Sequence, residues 1–195
     1  MNSTTDIVWL QDNLRVADNP LLHFEHFPHQ LLCLYVLDQR WLTAAVPGES
    51  TPRLGPARLR FLWQSLMELR GELLQRGSDL LVRIGDPAEV VVELATTLNA
   101  RQVRLPFDLA DLPASFSAFR RSVEKHCEIP APKPAPITLP CWPEGAPRGF
   151  PPLKSVCETS AAWQPDQRQG FVFVGGESAA NDRLQHYIWR QNGAE

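Results

Sequence analysis

Asp6-Ile7-Val8-Trp9-Leu10 is a nearly continuous apolar run close to the start of a chain of 195 residues. A second run of the same kind, Leu31–Leu37, follows it. Short apolar runs with β-branched and aromatic residues are typical of strands that are buried on both faces of a parallel sheet. Between the runs, Asp18-Asn19-Pro20 predicts the start of a helix, with proline at an early helical position. These segments together predict a first β-α-β unit.

The same alternation continues along the chain. From Pro56 to Gly77, apolar residues recur at helical spacing and predict a long amphipathic helix. Leu80–Ile84 predicts a strand, and Asp86-Pro87-Ala88-Glu89 has the pattern of a capping box at the start of a second helix, which continues to Leu98. Gln102–Leu105 predicts a further strand. The order predicts an α/β fold, a Rossmann-like open parallel sheet of four to five strands with helices on both faces.

The pattern changes after Leu105. Residues 108–127 can form one more helix, whereas residues 130–152 contain nine of the 18 prolines and exclude long regular elements. A late helix is predicted over residues 178–190. We therefore expect an α/β domain at 1–129, a Pro-rich extended connector at 130–174, and the start of a further helical lobe at 175–195.

The composition is that of an ordinary globular protein, with 44% hydrophobic residues, 21% charged residues and a net charge of −3. This charge gives no overall attraction to nucleic acid, so we expect weak DNA binding or none for the chain alone. The four cysteines show no CxxC pairing, and neither a metal site nor a disulfide framework is indicated. No run has membrane-spanning length and no signal peptide is evident, which predicts a cytoplasmic protein without membrane contact.

Polar residues follow the first two predicted strands, at the edge of a parallel sheet where ligands bind. The predicted ligand-binding residues are Leu10, Gln11, Asp12, Asn13, Asp38, Gln39 and Arg40. The alternative is that the charged residues of this edge, with Arg15 and Asp18, form only ion pairs and caps. No Gly-x-Gly-x-x-Gly motif supports a dinucleotide site, and no spacing indicates catalytic residues.

Three further groups of residues have two interpretations each. His23, His26 and His29 recur at intervals of three, but Pro28 interrupts a helix there, so a solvated loop is favoured over a metal site. The arginines at 101, 104, 120 and 121 could form a modest basic patch for nucleic acid, but solvated helix faces are favoured. The tryptophans at 163 and 189 could anchor an interface, but packing of the C-terminal segment onto the domain is favoured.

The segment Val8–Leu21 resembles the opening motif of the DNA photolyase and cryptochrome family, with Gln11 in place of the arginine of that motif. Further matching segments follow along most of the chain: Arg60–Leu69, Gly77–Leu80, Gly85–Pro87, Pro106–Asp108, Asp111–Pro113, Phe116–Arg121, Gly175–Glu177 and Arg183-Leu184. The later ones resemble the DASH-type cryptochrome branch.

The resemblance implies a light-driven enzyme that splits pyrimidine dimers with FAD held in a helical lobe, often aided by a folate or deazaflavin antenna chromophore beside the α/β domain. The chain ends at Glu195, so we expect that lobe, and FAD with it, to be absent. Leu105 also runs directly into Pro106, where relatives usually have an acidic antenna-contact segment, a helix and a fifth strand, which argues against a complete folate site.

We therefore expect a photolyase-related α/β domain without intrinsic repair activity, and no firmly bound cofactor. Its expected role is to bind an antenna chromophore or nucleotide, or to contact a protein partner or a second copy through residues 175–190. The alternative is a DNA photolyase that acts with a flavin lobe supplied by another chain.

Overall fold

The computed structural model describes residues 4–43, 52–105, 115, 117, 120–121, 131–158, 162–164 and 172–190. Its centre is a parallel sheet with the strand order β3-β2-β1-β4, as expected for an open α/β fold. The strands are β1 (Thr5–Leu10), β2 (Gln30–Asp38), β3 (Leu80–Gly85) and β4 (Gln102–Arg104). The predicted fold class is confirmed, with four strands in the described part of the chain.

The first crossover differs from the prediction. Between β1 and β2 the chain forms only a 3₁₀ turn, Pro20–Leu22, instead of an α-helix. Asn19 caps this turn by accepting a hydrogen bond from the Leu21 N–H, as the motif predicts. His23 then takes up an extended conformation, which ends the turn after a single set of backbone hydrogen bonds.

The two long helices cover opposite faces of the sheet. Helix α1 (Pro56–Gln75) packs a stripe of apolar residues on one face, and helix α2 (Pro87–Thr97) packs on the other. Asp86 caps α2 by accepting hydrogen bonds from the Ala88 and Glu89 N–H groups. Gly77, with a φ of +89°, leads the chain out of α1, a conformation that glycine adopts without strain.

Residues 131–158 run along the domain mainly in extended form, with one helical turn, α3 (Leu153–Val156). Leu139 is buried in the core, and the Val82 N–H donates to the Gly149 carbonyl. Asp79 joins this segment to α1, because its carboxylate accepts hydrogen bonds from Arg70 and Arg148. Burial by itself raises the pKa of Asp79, but the hydrogen bonds outweigh burial and hold that pKa below its usual value.

The last described element is α4 (Glu177–Gln185), followed by a π-helical turn at His186–Arg190. The predicted late helix over residues 178–190 is present, but its last five residues form a π-helical turn instead of continuing the α-helix. The predicted helix at 108–127 lies almost entirely outside the described residues. Within the described residues, we find no helix with both the length and the apolar character needed to cross a membrane.

Candidate ligand site at the carboxyl ends of β1 and β2

The predicted loop after β1 is held together by its own side chains. Leu10 is fully buried in the core, and the Gln11 N–H donates to the Asn13 side-chain oxygen at 3.0 Å. Asn19, also fully buried, donates from its side-chain nitrogen to the Arg15 carbonyl at 2.8 Å. These bonds fix the backbone of the loop, so part of its polarity is structural.

Charged residues of the same loop are also paired locally. Arg15 donates to the Asp18 carbonyl at 2.8 Å and forms an exposed ion pair with the Asp18 carboxylate at 3.3 Å. Such exposed pairs contribute little to stability, and here the pair shapes the turn around a residue with a φ of +52°. For Arg15 and Asp18, the interpretation as ion pair and cap is therefore correct.

The predicted residues after β2 form a second local unit. Asp38 accepts the Arg40 N–H at 2.8 Å and a 2.6 Å bond from the Arg40 guanidinium, which lowers the pKa of Asp38. Gln39 is exposed between them. Both carboxylate oxygens accept these bonds, and Asp38 thereby caps the 3₁₀ turn Gln39–Leu42, which contains Trp41.

A cavity of about 410 Å³ lies between the loop after β1, the end of β2, α1 and α4. The structure brings together here two of the predicted residues, Asp12 and Asn13. Sequence reasoning missed other residues that line the cavity, which include Tyr35, Trp41, Arg58 and Glu177. Tyr35 and Trp41 could have been predicted from their position in the sequence, since Tyr35 lies in the carboxyl-terminal half of β2 and Trp41 follows that strand.

Tyr35 supplies the best-defined polar group of the cavity. Its ring is buried, and burial together with the nearby charge of Asp12 raises the pKa of Tyr35 to about 12, against the opposing influence of Arg58. The phenol therefore stays neutral at physiological pH and can both donate and accept a hydrogen bond. Trp41, with 38% of its surface exposed, provides an aromatic wall.

The remaining wall comes from α4, which is attached by hydrogen bonds rather than by a buried face. The Glu177 carboxylate accepts the Val16 N–H at 2.8 Å and the Ala17 N–H at 3.2 Å. On α1, Gln64 accepts the Gly175 N–H at 3.0 Å and Glu68 accepts the Ser178 N–H at 2.8 Å. The Glu177 bonds tie the C-terminal segment to the loop that carries Asp12 and Asn13, and the other two bonds tie it to α1.

Gly175 crosses α1 at very close range. A Cβ atom at this position would collide with the Phe61 carbonyl and with Ser65. The Gly175-Gly176-Glu177 motif thus combines two functions: glycine permits the close crossing, and glutamate reaches back to the loop after β1.

The outer side of α4 lines a different and more apolar groove of about 1080 Å³. Its exposed residues include Val172, Phe173, Leu184, Tyr187 and Trp189. Trp189 is 78% exposed, so the prediction that it packs back onto the domain is wrong for this residue. At Trp163 the carbonyl accepts a hydrogen bond from Arg60 of α1, which does link that part of the chain to the domain.

The described residues contain no group of His, Cys, Asp and Glu side chains that could hold a metal ion. His26 and His29 are exposed, and His23 is half-buried. Cys33 lies in the core, where burial raises the pKa of its thiol to about 12, so it is an inert apolar residue.

A family model and the relatives found by sequence comparison point to the same protein family. A model of the DNA photolyase family matches residues 6–112. Cryptochrome DASH from Gloeobacter violaceus is 31% identical over 233 residues, which cover 98% of this chain and 46% of that protein. The chloroplastic/mitochondrial cryptochrome DASH from Arabidopsis thaliana is 29% identical and covers 95% of this chain and 40% of its own length. The chain thus spans less than half the length of these relatives.

Solved structures agree. The Synechocystis cryptochrome superposes with a TM-score of 0.71 at 25% identity, over 97% of this chain and 47% of its own. An archaeal photolyase from Sulfolobus tokodaii, described with two FAD molecules, has a TM-score of 0.51 at 16% identity over 94% of this chain and 46% of its own, and shows likeness of fold alone. The 233-residue alignment with the Gloeobacter protein exceeds the 195 residues of this chain, so that relative has inserted residues within the matched span.

Proposed function

This chain belongs to the DNA photolyase family, and we propose that it acts as an α/β domain that binds a planar small ligand, an antenna chromophore or a nucleotide. The observation that carries this proposal is the cavity between Asp12, Tyr35, Trp41 and α4. It lies at the carboxyl ends of parallel strands, the edge where open α/β sheets bind ligands.

The residues of the cavity fit such a ligand in size and chemistry. Its volume of about 410 Å³ lies within the range of small-molecule pockets, roughly 300–1,000 Å³. Trp41 offers a partly exposed ring for stacking, and the neutral Tyr35 phenol can donate to a carbonyl or ring nitrogen. Arg58, exposed at the rim, can attract an acidic group of a folate, a deazaflavin or a phosphate.

Titration of the protein with a folate, a deazaflavin, FAD and ATP, followed by tryptophan fluorescence and calorimetry, tests the proposal. We expect saturable binding of at least one of them, weakened about tenfold or more by Trp41→Ala because a stacking contact is lost. Trp189→Ala, which removes an exposed indole in the other groove, is the matched control and should bind normally. A flat titration with every compound would remove the proposal.

A second role is supported by the apolar groove on the outer side of α4. Leu184, Tyr187 and Trp189 are 56%, 48% and 78% exposed, and contiguous exposed apolar residues mark interaction surfaces. We propose that this groove docks the helical flavin lobe of a photolyase-type partner, or in its absence a second copy of this chain. Sedimentation should show concentration-dependent self-association that Leu184→Glu abolishes, whereas a monomer at all concentrations contradicts docking of a second copy.

Repair activity is a separate part of the proposal. For this chain alone, mixed with FAD and a thymine-dimer oligonucleotide, we expect no flavin absorbance band on the protein after gel filtration and no light-dependent repair. A retained flavin band with light-dependent repair would instead establish the alternative, a photolyase.

A further inference from the structure

We propose that a second cavity, beside the edge strand β4, binds the phosphate group and base of a nucleotide. This cavity measures about 830 Å³ and is lined by residues of the β1–β2 connection, of β4 and of the segment after residue 130. The residues that carry the argument are His23, Phe24, Phe27, Arg104 and Lys133. None of them lines the cavity at the ends of β1 and β2.

Arg101 also lines this cavity, but its guanidinium is paired with a buried carboxylate of the sheet. Its guanidinium donates to both oxygens of Asp6, at 3.0 and 2.8 Å, and Gln102 donates to the same carboxylate at 2.7 Å. Asp6 is fully buried, and a buried carboxylate requires such partners. The negative charge of Asp6 is therefore compensated, and Arg101 is committed to it.

Arg104 is positioned differently. One guanidinium nitrogen donates to the His23 carbonyl at 3.0 Å, and the guanidinium carbon lies 4.7 Å from the centre of the Phe24 ring. Among the described residues it has no carboxylate partner. Stacking fixes the orientation of the guanidinium, and most of its five N–H donors remain available for an anion.

Lys133 brings a second positive charge to the same cavity. Its backbone is anchored to Asp18 twice: the Asp18 N–H donates to the Lys133 carbonyl at 2.8 Å, and the Lys133 N–H donates to the Asp18 side chain at 3.1 Å. Its ammonium group forms no ion pair with the part of the chain that the structure describes. The anchored backbone fixes the position from which the Lys133 side chain extends at the cavity.

The balance of charge favours an anion. Glu25 also lines the cavity and offsets one positive charge, while Asp6 is already compensated by Arg101. Arg104 and Lys133 therefore leave a local positive charge on a chain whose net charge is −3. A cavity whose net charge is positive attracts anionic ligands, and guanidinium groups match phosphate oxygens in geometry.

Aromatic residues beside the cations favour a nucleotide over inorganic phosphate. The Phe24 and Phe27 rings lie 5.5 Å apart with a 60° angle between their planes. Arg104 occupies a face of Phe24, whereas Phe27 is 60% exposed and can stack on a base. His23 lines the same cavity and has a buried ring nitrogen without a hydrogen-bond partner in the described structure.

Calorimetric titration at low salt with AMP, adenosine and inorganic phosphate tests this site. We expect AMP to bind at least tenfold more tightly than adenosine, inorganic phosphate to compete with AMP, and higher salt to weaken AMP binding. A short single-stranded thymidine oligonucleotide distinguishes the source of the phosphate: tighter binding than AMP indicates a nucleic-acid strand, and weaker binding a free nucleotide. Equal affinity for AMP and adenosine would overturn the proposal.

Variants assign the binding to this cavity. Lys133→Gln removes an ammonium group that forms no ion pair with any described residue, so the fold should persist while AMP affinity falls several-fold. Arg104→Gln should reduce affinity about tenfold or more, with its thermal unfolding measured alongside because the contact with Phe24 is lost. Lys154→Gln removes the same charge from the exposed turn α3 and should leave AMP binding unchanged.

Trp41→Ala separates this site from the proposed ligand site at β1 and β2, since it should weaken binding there about tenfold or more and leave AMP binding here unchanged. AMP binding that is insensitive to Arg104→Gln and Lys133→Gln but is lost in Trp41→Ala would contradict the second site while supporting the first.

Discussion

Helices α1 and α4 are attached to the same domain by different forces. Helix α1 buries Leu59, Trp63, Leu66, Leu69 and Leu73 against the sheet, whereas α4 has no buried residue. The α4 segment is held instead by hydrogen bonds to Gln64 and Glu68 and by the Glu177 carboxylate. A buried leucine contributes about 1.5–3 kcal/mol, and a hydrogen bond about 0.5–1.5 kcal/mol. The first attachment builds the fold, and the second leaves apolar residues of the C-terminal segment exposed.

The largest expected effect comes from the α1 side of this contrast. Leu66→Ala, at a fully buried position, should lower the free energy of unfolding by about 3 kcal/mol, because it removes apolar contacts and leaves a cavity. Leu184→Ala on α4 is the control and should change that free energy by less than about 0.5 kcal/mol, since Leu184 is 56% exposed. Urea unfolding measures both, and similar losses would contradict the contrast.

Gly175→Ala should detach α4 without unfolding the sheet. The new methyl group would collide with the Phe61 carbonyl, so we expect the Val16 and Ser178 amides to exchange with solvent at least tenfold faster. Gly71→Ala on α1 meets no atom within 4 Å and should stabilise the protein by about 0.5–1 kcal/mol. Unchanged amide exchange in Gly175→Ala would show that α4 tolerates the displacement.

Glu177→Gln tests the bond between α4 and the loop after β1. The amide retains one acceptor oxygen but loses the charge, so the cost should be about 1 kcal/mol, with about tenfold faster exchange at Val16 and Ala17. Glu93→Gln, exposed on α2, should leave both amides unchanged. If the two variants behave alike, the carboxylate does not hold the loop.

The smallest effect concerns Tyr35, which reports whether α4 closes the cavity. Ultraviolet titration, with Tyr35→Phe as reference, should show the phenol ionising near pH 12 in the intact protein and closer to its usual pKa of 10 in Gly175→Ala. Because folding raises this pKa, the stabilisation from the neutral phenol is present below pH 10 and is lost as the pH rises towards 12. An identical pKa in both proteins would mean that α4 does not shield Tyr35.

Sequence reasoning succeeded where neighbouring residues decide the structure. The Asp86 cap, the strands of the sheet and the stripe of α1 follow from local hydrogen bonding and from apolar periodicity, and the structure contains all of them. It failed in the β1–β2 connection, where Asn19 caps a single 3₁₀ turn. The capping motif specifies how a helix starts, and its length depends on the residues that follow.

The candidate sites were only partly predictable. Asp12 and Asn13 were predicted because polar residues follow a buried strand. Only the tertiary structure distinguishes Asp12, which lines the cavity, from Asp38, whose carboxylate is paired with Arg40. The roles of the arginines in the predicted basic patch could likewise not be distinguished from the sequence. Arg101 and Arg104 look alike in sequence, and burial of Asp6 commits only one of them.

The sequence by itself determined the alternation of strands and helices, their caps and the family motif, because these depend on contacts within a few residues and on the burial of periodic apolar positions. Only the tertiary structure decided which distant groups come together: Glu177 bonds to the Val16 N–H, Tyr35 lines one cavity with residues of α4, and Lys133 lines another with Arg104. These residues are far apart in the sequence and are brought together by the packing of helices on the sheet. A local sequence pattern therefore does not indicate which polar groups become neighbours.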